Sequence, residues 1–305
     1  MSDLIEINPS VLSKIKQVKL SYWHYAEITR LLLLSDGRVA SSSIDKTIRI
    51  YNISKNTYEF DLKGHSERIN DIVQNWDGQI ISCSNDLSLA FWEINKKPRR
   101  NYIINKAHER AINKIDVTND KKLLTCSCDG IVKIWKGQAP YNLIKFIKIT
   151  EDALSNVKQI NEKILLASSK SNFYIWNEKV YQLMLIIKNV FLNDTNILHI
   201  FKEKKLLLSG RNSIGILNYE KLIIESIITD KRLGPIINAK EYKNNIILAG
   251  CSGGQFVIYN YQKNTYFVKD VDISFLFMSS LIFMSGKELL IGTTKGDIIL
   301  WKLEI

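Results

Sequence analysis

The sequence predicts an all-β protein, a seven-bladed β-propeller of four-stranded sheets, and three observations lead there. Tyr51, Trp92, Trp135, Trp176, Leu217, Tyr259 and Trp301 recur along the 305 residues at steps of 41, 43, 41, 41, 42 and 42. That period is too long for leucine-rich or ankyrin units and suits a blade of four strands. Between these markers run short apolar stretches broken by Asp-Gly and Asn-Asp turns, the pattern of a strand meander. In the first three repeats His24 and Asp45, His65 and Asp86, and His108 and Asp129 are each 21 residues apart, and an aromatic follows each Asp six residues later.

The first blade is built on His24, Asp45 and Tyr51. The second shows the unit most completely: Gly64-His65, an apolar run over 69–73, the turn Asp77-Gly78, a run over 80–84, then Asp86 and a run ending at Trp92. The third repeats it with His108, Asp129 and Trp135. Blades four to seven keep the strand rhythm in the runs 163–168, 205–209, 246–250 and 288–292. Counting back from their closing residues, Lys170, Arg211, Gly253 and Lys295 stand in the Asp position, and Ile149, Val190, Arg232 and Ser274 in the His position. A His–Asp network is therefore expected in the first three blades and not in the last four.

These residues are similar to those of the WD40 repeat family, whose signature is a Gly-His pair, a second strand rich in Ser and Thr, a turn Asp and a closing Trp-Asp. The resemblance runs over essentially the whole chain. It implies that His, a hydroxyl, Asp and the closing aromatic form a network tying the second and third strands of a blade to the loop leading into it. The candidates are His24, Asp45 and Tyr51; His65, Asp86 and Trp92; and His108, Asp129 and Trp135. Their hydroxyl comes from Ser41 or Ser43, Ser82 or Ser84, and Thr125 or Ser127. Loss of one member is expected to cost on the order of 1–3 kcal/mol, because the others are left buried without a partner.

Only four residues follow Trp301, too few for a turn and another strand. Residues 14–20 are therefore expected to supply the outer strand of blade seven, pairing the two termini and leaving no open end, with 1–13 as a tail. A repeat that continues without a linker reads as a single propeller domain over 1–305.

An apolar content of 46% allows a large core. The N-terminal stretch has neither the basic end nor the apolar segment of a secretory signal. The uncharged run 273–286 is too short to cross a bilayer, and the longer one, 244–262, is broken by Asn, Ser, Gly and Gln. No membrane insertion is expected, and the reading is a cytoplasmic or nuclear protein of a eukaryote. Cys83, Cys126, Cys128 and Cys251 lack the spacing of a zinc site and are expected to be buried free thiols. Neither a phosphate loop nor a G-x-G-x-x-G fingerprint occurs, and no cofactor is expected. The Gly-rich run 250–254 is read as a tight turn. The charge of +11 and pI near 9.3 permit nucleic-acid binding, and follow equally from the Lys and Asn codons of an AT-rich genome.

His, Asp and Ser together suggest a catalytic triad, but a nucleophile needs one activated, accessible copy, whereas three equivalent sets at repeat positions suit a structural role. No enzymatic activity is expected, and His199, outside the three sets, reads as a core or edge imidazole. The family resemblance implies a scaffold that binds other proteins through the face bearing the Gly-His loops and Asp turns, as one monomeric propeller in a larger complex. On that face belong Glu67, Arg68, Glu109, Arg110 and Arg232, beside Lys170, Arg211 and Lys295, a set suited to an acidic or phosphorylated peptide. The alternative is an RNA-associated propeller of a ribosomal or RNA-processing particle. It would use Lys96, Lys97, Arg99, Arg100, Lys121, Lys122, Lys202, Lys204 and Lys205 on the opposite face. No exposed aromatic interleaves those cations as single-strand stacking requires.

Overall fold

In the computed structural model the described residues are 15–19 and 24–303, apart from 96–97, 138–140, 162–163, 171, 178–181, 189–195, 202–203, 222, 244, 271–277 and 285–287. Val190, Ser274, Lys96, Lys97, Lys202 and the expected tail 1–13 lie outside them, and of 15–19 and 196–200, which includes His199, only the backbone is described. The described residues form seven antiparallel sheets of four strands each and no helix, so none is long and apolar enough to cross a membrane.

Within blades one to six the strands run in chain order from the axis outwards. In blade two these are Ile69–Gln74, Ile80–Ser84, Leu89–Glu93 and Arg99–Ile104. The second strands Val39–Ser43 and Ile80–Ser84 are buried at every residue, and the other five at all but the first. Both faces of a blade pack against neighbours, so these strands read as continuous runs instead of alternating with polar residues. Seven apolar clusters result, each shared by two adjacent blades. Ile50 and Leu62 of blade one meet Ile72 and Trp92 of blade two, and Ile298 and Leu300 of blade seven meet Ile28 and Val39 of blade one. Inner strands touch in succession around the ring, including those of blades seven and one.

The outer strand of blade seven is Ile15–Lys19 among the described residues, within the expected 14–20, of which 14 and 20 lie outside them. It pairs antiparallel with Ile298–Leu303, placing Gln17 opposite Trp301.

Turns between second and third strands hold the loop into the next blade. The His24 amide donates to the Gly296 carbonyl, Ala107 to Leu87 and Ile149 to Gly130. Ile149 stands in the place of Ala107; the shortened turn of blade four moves the histidine place from Ile149 to Thr150, four residues before Leu154, so the backbone bond survives where the side-chain network does not. Gly130 (φ 73°) and Gly296 (φ 88°) occupy left-handed turn positions where a Cβ would lie 1.9 Å from the Thr150 carbonyl oxygen and 2.2 Å from that of His24. Only glycine fits there.

In blades four and five this turn is one residue shorter. Ser82 pairs with Ala90 and Ile291 with Ile299, whereas Ala167 pairs with Tyr174 and Leu208 with Gly215. Counting back from Trp176 and Leu217 therefore puts Lys170 and Arg211 one place late. They open tightened turns, while Lys295 does take the aspartate place. Other expected turn residues also move: Arg99 and Arg100 begin an outer strand, and Lys122 and Lys205 begin the strands Lys122–Ser127 and Lys205–Gly210.

Candidate interaction rims and the buried histidine networks

Three networks of one design occupy blades one to three. His65 Nδ1 lies 2.8 Å from Asp86 Oδ2 and its Nε2 lies 2.7 Å from Ser82 Oγ, to which Trp92 Nε1 donates at 2.8 Å. His108 repeats this with Asp129 (2.9 Å) and Thr125 (2.8 Å), and Trp135 donates to the same threonine hydroxyl at 3.0 Å. His24 sits between Asp45 (2.8 Å) and Ser41 Oγ (2.7 Å). A carboxylate at Nδ1 fixes the proton there, so Nε2 of the neutral ring accepts from the hydroxyl, which is left to accept from the indole. All three imidazoles have no exposed side-chain surface.

The sequence left two hydroxyls open per blade, and the structure uses both. Ser41, Ser82 and Thr125 bind the histidines. Ser43, Ser84 and Ser127 accept from the amides of Asp45, Asp86 and Asp129 and donate to the carbonyls of Ala26, Glu67 and Arg110. Burial pushes each aspartate up, but the hydrogen bond from its histidine, with backbone donors, more than offsets this. Asp45, Asp86 and Asp129 are all held below the ordinary carboxylate range.

Blades four and seven keep the closing tryptophan without its acceptor. Ala167 and Ile291 stand where Ser82 and Thr125 do, and the indole N–H groups of Trp176 and Trp301 are buried without a hydrogen-bond partner. In blade six Tyr259 replaces the tryptophan, and its hydroxyl donates to Ser226 Oγ at 2.7 Å. Trp92→Phe deletes a made hydrogen bond, whereas Trp176→Phe deletes an orphan. Urea unfolding should show the blade-two change to be more costly by about 1 kcal/mol, since both remove similar apolar volume. Equal midpoints would contradict the orphan assignment.

A polar ring lines the axis at one level of the inner strands: Arg30, Asp71, Lys114, Asn156, Asn238 and Ser280. Asp71, 1% exposed, is shared by Arg30 (3.4 Å) and Lys114 (3.3 Å) and accepts from the Ile115 amide, so one carboxylate joins three blades. Burial pushes Lys114 down against the pull of Asp71, and raises Asp116 one level further along. A cavity of about 100 Å³ opens here, bounded by Arg30, Lys114, Asp116 and Lys158. Sequence reading missed this ring, although its members recur at the same step as the closing aromatics.

On the rim of the histidine loops, Glu67, Glu109, Arg110, Lys170, Arg211, Arg232 and Lys295 are exposed and Arg68 half-buried. Arg232 is engaged by Asp230, its guanidinium bonding both carboxylate oxygens. Cations on the opposite rim are more committed. Lys204 pairs with Glu220, Lys205 with Glu225, Lys122 with Asp120, and Arg100 donates to the Gly64 carbonyl. Cys83, Cys126 and Cys251 are buried, with burial pushing each thiol up, while Cys128 is half-exposed and meets Asn113.

Seven meander sheets around a polar axis, three of them locked by His–Asp pairs, define a seven-bladed β-propeller. The family model described as WD domain, G-beta repeat matches residues 56–93 and 99–136. The chain is 33% identical to Lissencephaly-1 homolog 1 of Paramecium tetraurelia over 98 residues, 32% of this chain and 24% of that one. It is 31% identical to the WD repeat domain-containing protein 83 homolog of Dictyostelium discoideum over 142 residues, 45% and 42% of the two chains. With the WD repeat-containing protein 55 homolog of Drosophila willistoni it shares 21% over 188 residues, 59% and 36%. In each case the aligned stretch spans less than half of the curated relative. Two WD40 repeats, over 56–93 and 99–136, thus lie within a seven-bladed propeller, and the chain is similar to WD-repeat proteins.

Proposed function

We propose that this protein is a non-catalytic interaction scaffold whose working surface is the rim of the histidine loops. Its partner presents an acidic or phosphorylated segment there, and the propeller acts as one member of a larger assembly in the cytoplasm or nucleus. One observation carries the reading: exposed Lys170, Arg211 and Lys295 at the turns of blades four, five and seven, where blades one to three hold histidine-bound carboxylates. The far half of the rim is thereby cationic and matches an anionic chain. WD40 propellers in general serve as non-enzymatic scaffolds. His24, His65 and His108 are each sealed between a carboxylate and a hydroxyl, which leaves none of these three imidazoles free for a substrate. The ion pairs on the opposite rim weaken the RNA reading by using up cations that a phosphate backbone would need.

The test is affinity purification from native cells, with and without nuclease, comparing wild type with Lys170→Glu/Arg211→Glu/Lys295→Glu. A defined protein set should survive nuclease and be lost from the triple variant. Material that vanishes with nuclease would favour the RNA-associated reading, and a set retained by the variant would move the surface elsewhere.

A further inference from the structure

The walls of the axial cavity carry an excess of positive charge. Of the charged residues that line it, three are cations, Arg30, Lys114 and Lys158, and one is an acid, Asp116. The cations come from the inner strands Ile28–Leu33, Ile112–Val117 and Leu154–Asn161, so they converge on the axis from blades one, three and four. Asp71 stands behind the lining, 1% exposed, and meets Arg30 and Lys114 at 3.4 and 3.3 Å. It does not exhaust the donors they carry. Arg30 Nε approaches Asp71 without forming a hydrogen bond, and the guanidinium has no other acceptor among the described residues. The Lys158 ammonium has no ion pair or hydrogen bond among them. Asp116 accepts from the Gln159 amide at 3.4 Å, and burial raises it toward its neutral form. Burial also pushes Lys114 down, the response of a cation with too little anion around it.

Three like charges around one small space repel each other more strongly than they would in bulk water. The cavity, at about 100 Å³, lies well below the roughly 300–1,000 Å³ of pockets that take drug-sized ligands. It has room for a few waters or for one tetrahedral oxyanion. A guanidinium and two ammonium groups suit an ion with several oxygens, each accepting a charge-assisted hydrogen bond. We propose that the axial cavity binds one free oxyanion of the phosphate class, held by Arg30, Lys114 and Lys158, which ties blades one, three and four together from inside. The site is separate from the rim and does not depend on the rim's function.

Isothermal titration calorimetry of the full chain with sodium phosphate, in chloride buffer at constant ionic strength, reads the site. One phosphate should bind per chain. Lys158→Gln should weaken it by about tenfold or more and Lys158→Arg should restore it, and both should melt like wild type in chloride because Lys158 has no protein partner to lose. Arg30→Lys, which keeps the charge beside Asp71 and loses the guanidinium fork, should weaken it as well. The rim variant Lys170→Glu/Arg211→Glu/Lys295→Glu should bind phosphate like wild type, and O-phosphoserine and AMP, too large for the cavity, should not compete. The proposal is overturned by no binding, or by binding that both Lys158→Gln and Arg30→Lys retain, since phosphate stabilises folded proteins generally by exclusion from their surface. Loss in the rim variant would place the ion on the rim and overturn it. Phosphoserine or AMP binding as tightly as phosphate would make the occupant the phosphoryl group of a larger ligand and overturn it too.

Discussion

Deleting residues 1–20 yields a chain that is insoluble or lacks a cooperative melt. The deletion removes Ile15–Lys19, which pairs with the last strand over its whole length, Ile15 opposite Leu303 to Lys19 opposite Ile299. Blade seven is then a three-stranded sheet whose edge is Ile298–Leu303. There Ile298, Ile299, Leu300 and Trp301 are at most 8% exposed in the intact protein. An unpaired apolar edge is a template for pairing with other chains, so the loss acts on solubility as well as stability. The effect reaches further, because Ile298 and Leu300 also belong to the cluster joining blade seven to Ile28, Val39 and Tyr51 of blade one. Soluble yield and a thermal melt measure it, and a truncated chain melting at the wild-type temperature would refute the role of this strand.

Asp86→Ala should cost about 3 kcal/mol in urea unfolding. The carboxylate accepts from His65 Nδ1 (2.8 Å), the Ser66 amide (3.0 Å), the Ser88 amide (3.0 Å) and Ser88 Oγ (2.6 Å). Removing it strands a buried imidazole N–H and several other donors at once, and hydrogen bonds to charged groups are worth about 1.5–3 kcal/mol each before compensation by water. Lys170→Ala, on an exposed turn, should stay within about 0.5 kcal/mol of wild type. The acid limb is a second readout. Asp45, Asp86 and Asp129 are held below their unfolded values, so the stability they contribute is complete above about pH 4 and is lost as the pH falls through their folded values. His108, pushed down by burial against the pull of Asp129, works in the same direction from about pH 6.5 downwards. Asp86→Ala should therefore lose less stability than wild type on acidification below pH 4. A variant within 0.5 kcal/mol of wild type at pH 7, or a wild type that gains stability in acid, would contradict the structural role of the network.

The spacing of His65, Asp86 and Trp92 was legible because a network must recur wherever the blade geometry recurs, and 21 residues always bridge the same two loops. The choice between Ser82 and Ser84 was not legible, since residues two apart in a strand face the same side and only the distance along it decides which hydroxyl reaches the imidazole. The placement of Lys170 and Arg211 failed for a counting reason: a turn shortened by one residue leaves the strand rhythm intact while shifting everything before it. The axial ring around Asp71 carried a readable signal, since Arg30, Asp71, Lys114 and Asn156 follow one another at 41, 43 and 42 residues. It was hidden because its members differ in chemistry from blade to blade.

Blade one cannot finish its flank until blade seven exists. The Leu31 amide waits for Ser280 Oγ, 249 residues later, and the His24 amide for the Gly296 carbonyl. At translation speeds of about 5–20 residues per second, that interval lasts roughly 12–50 s. Through it the wall formed by Ile28, Leu31 and Val39 stands uncovered on the nascent chain. Every other blade meets its neighbour as soon as the next repeat emerges. The ring's topology therefore concentrates the hazard of synthesis at one seam, where a ribosome-bound chaperone has the most to shield.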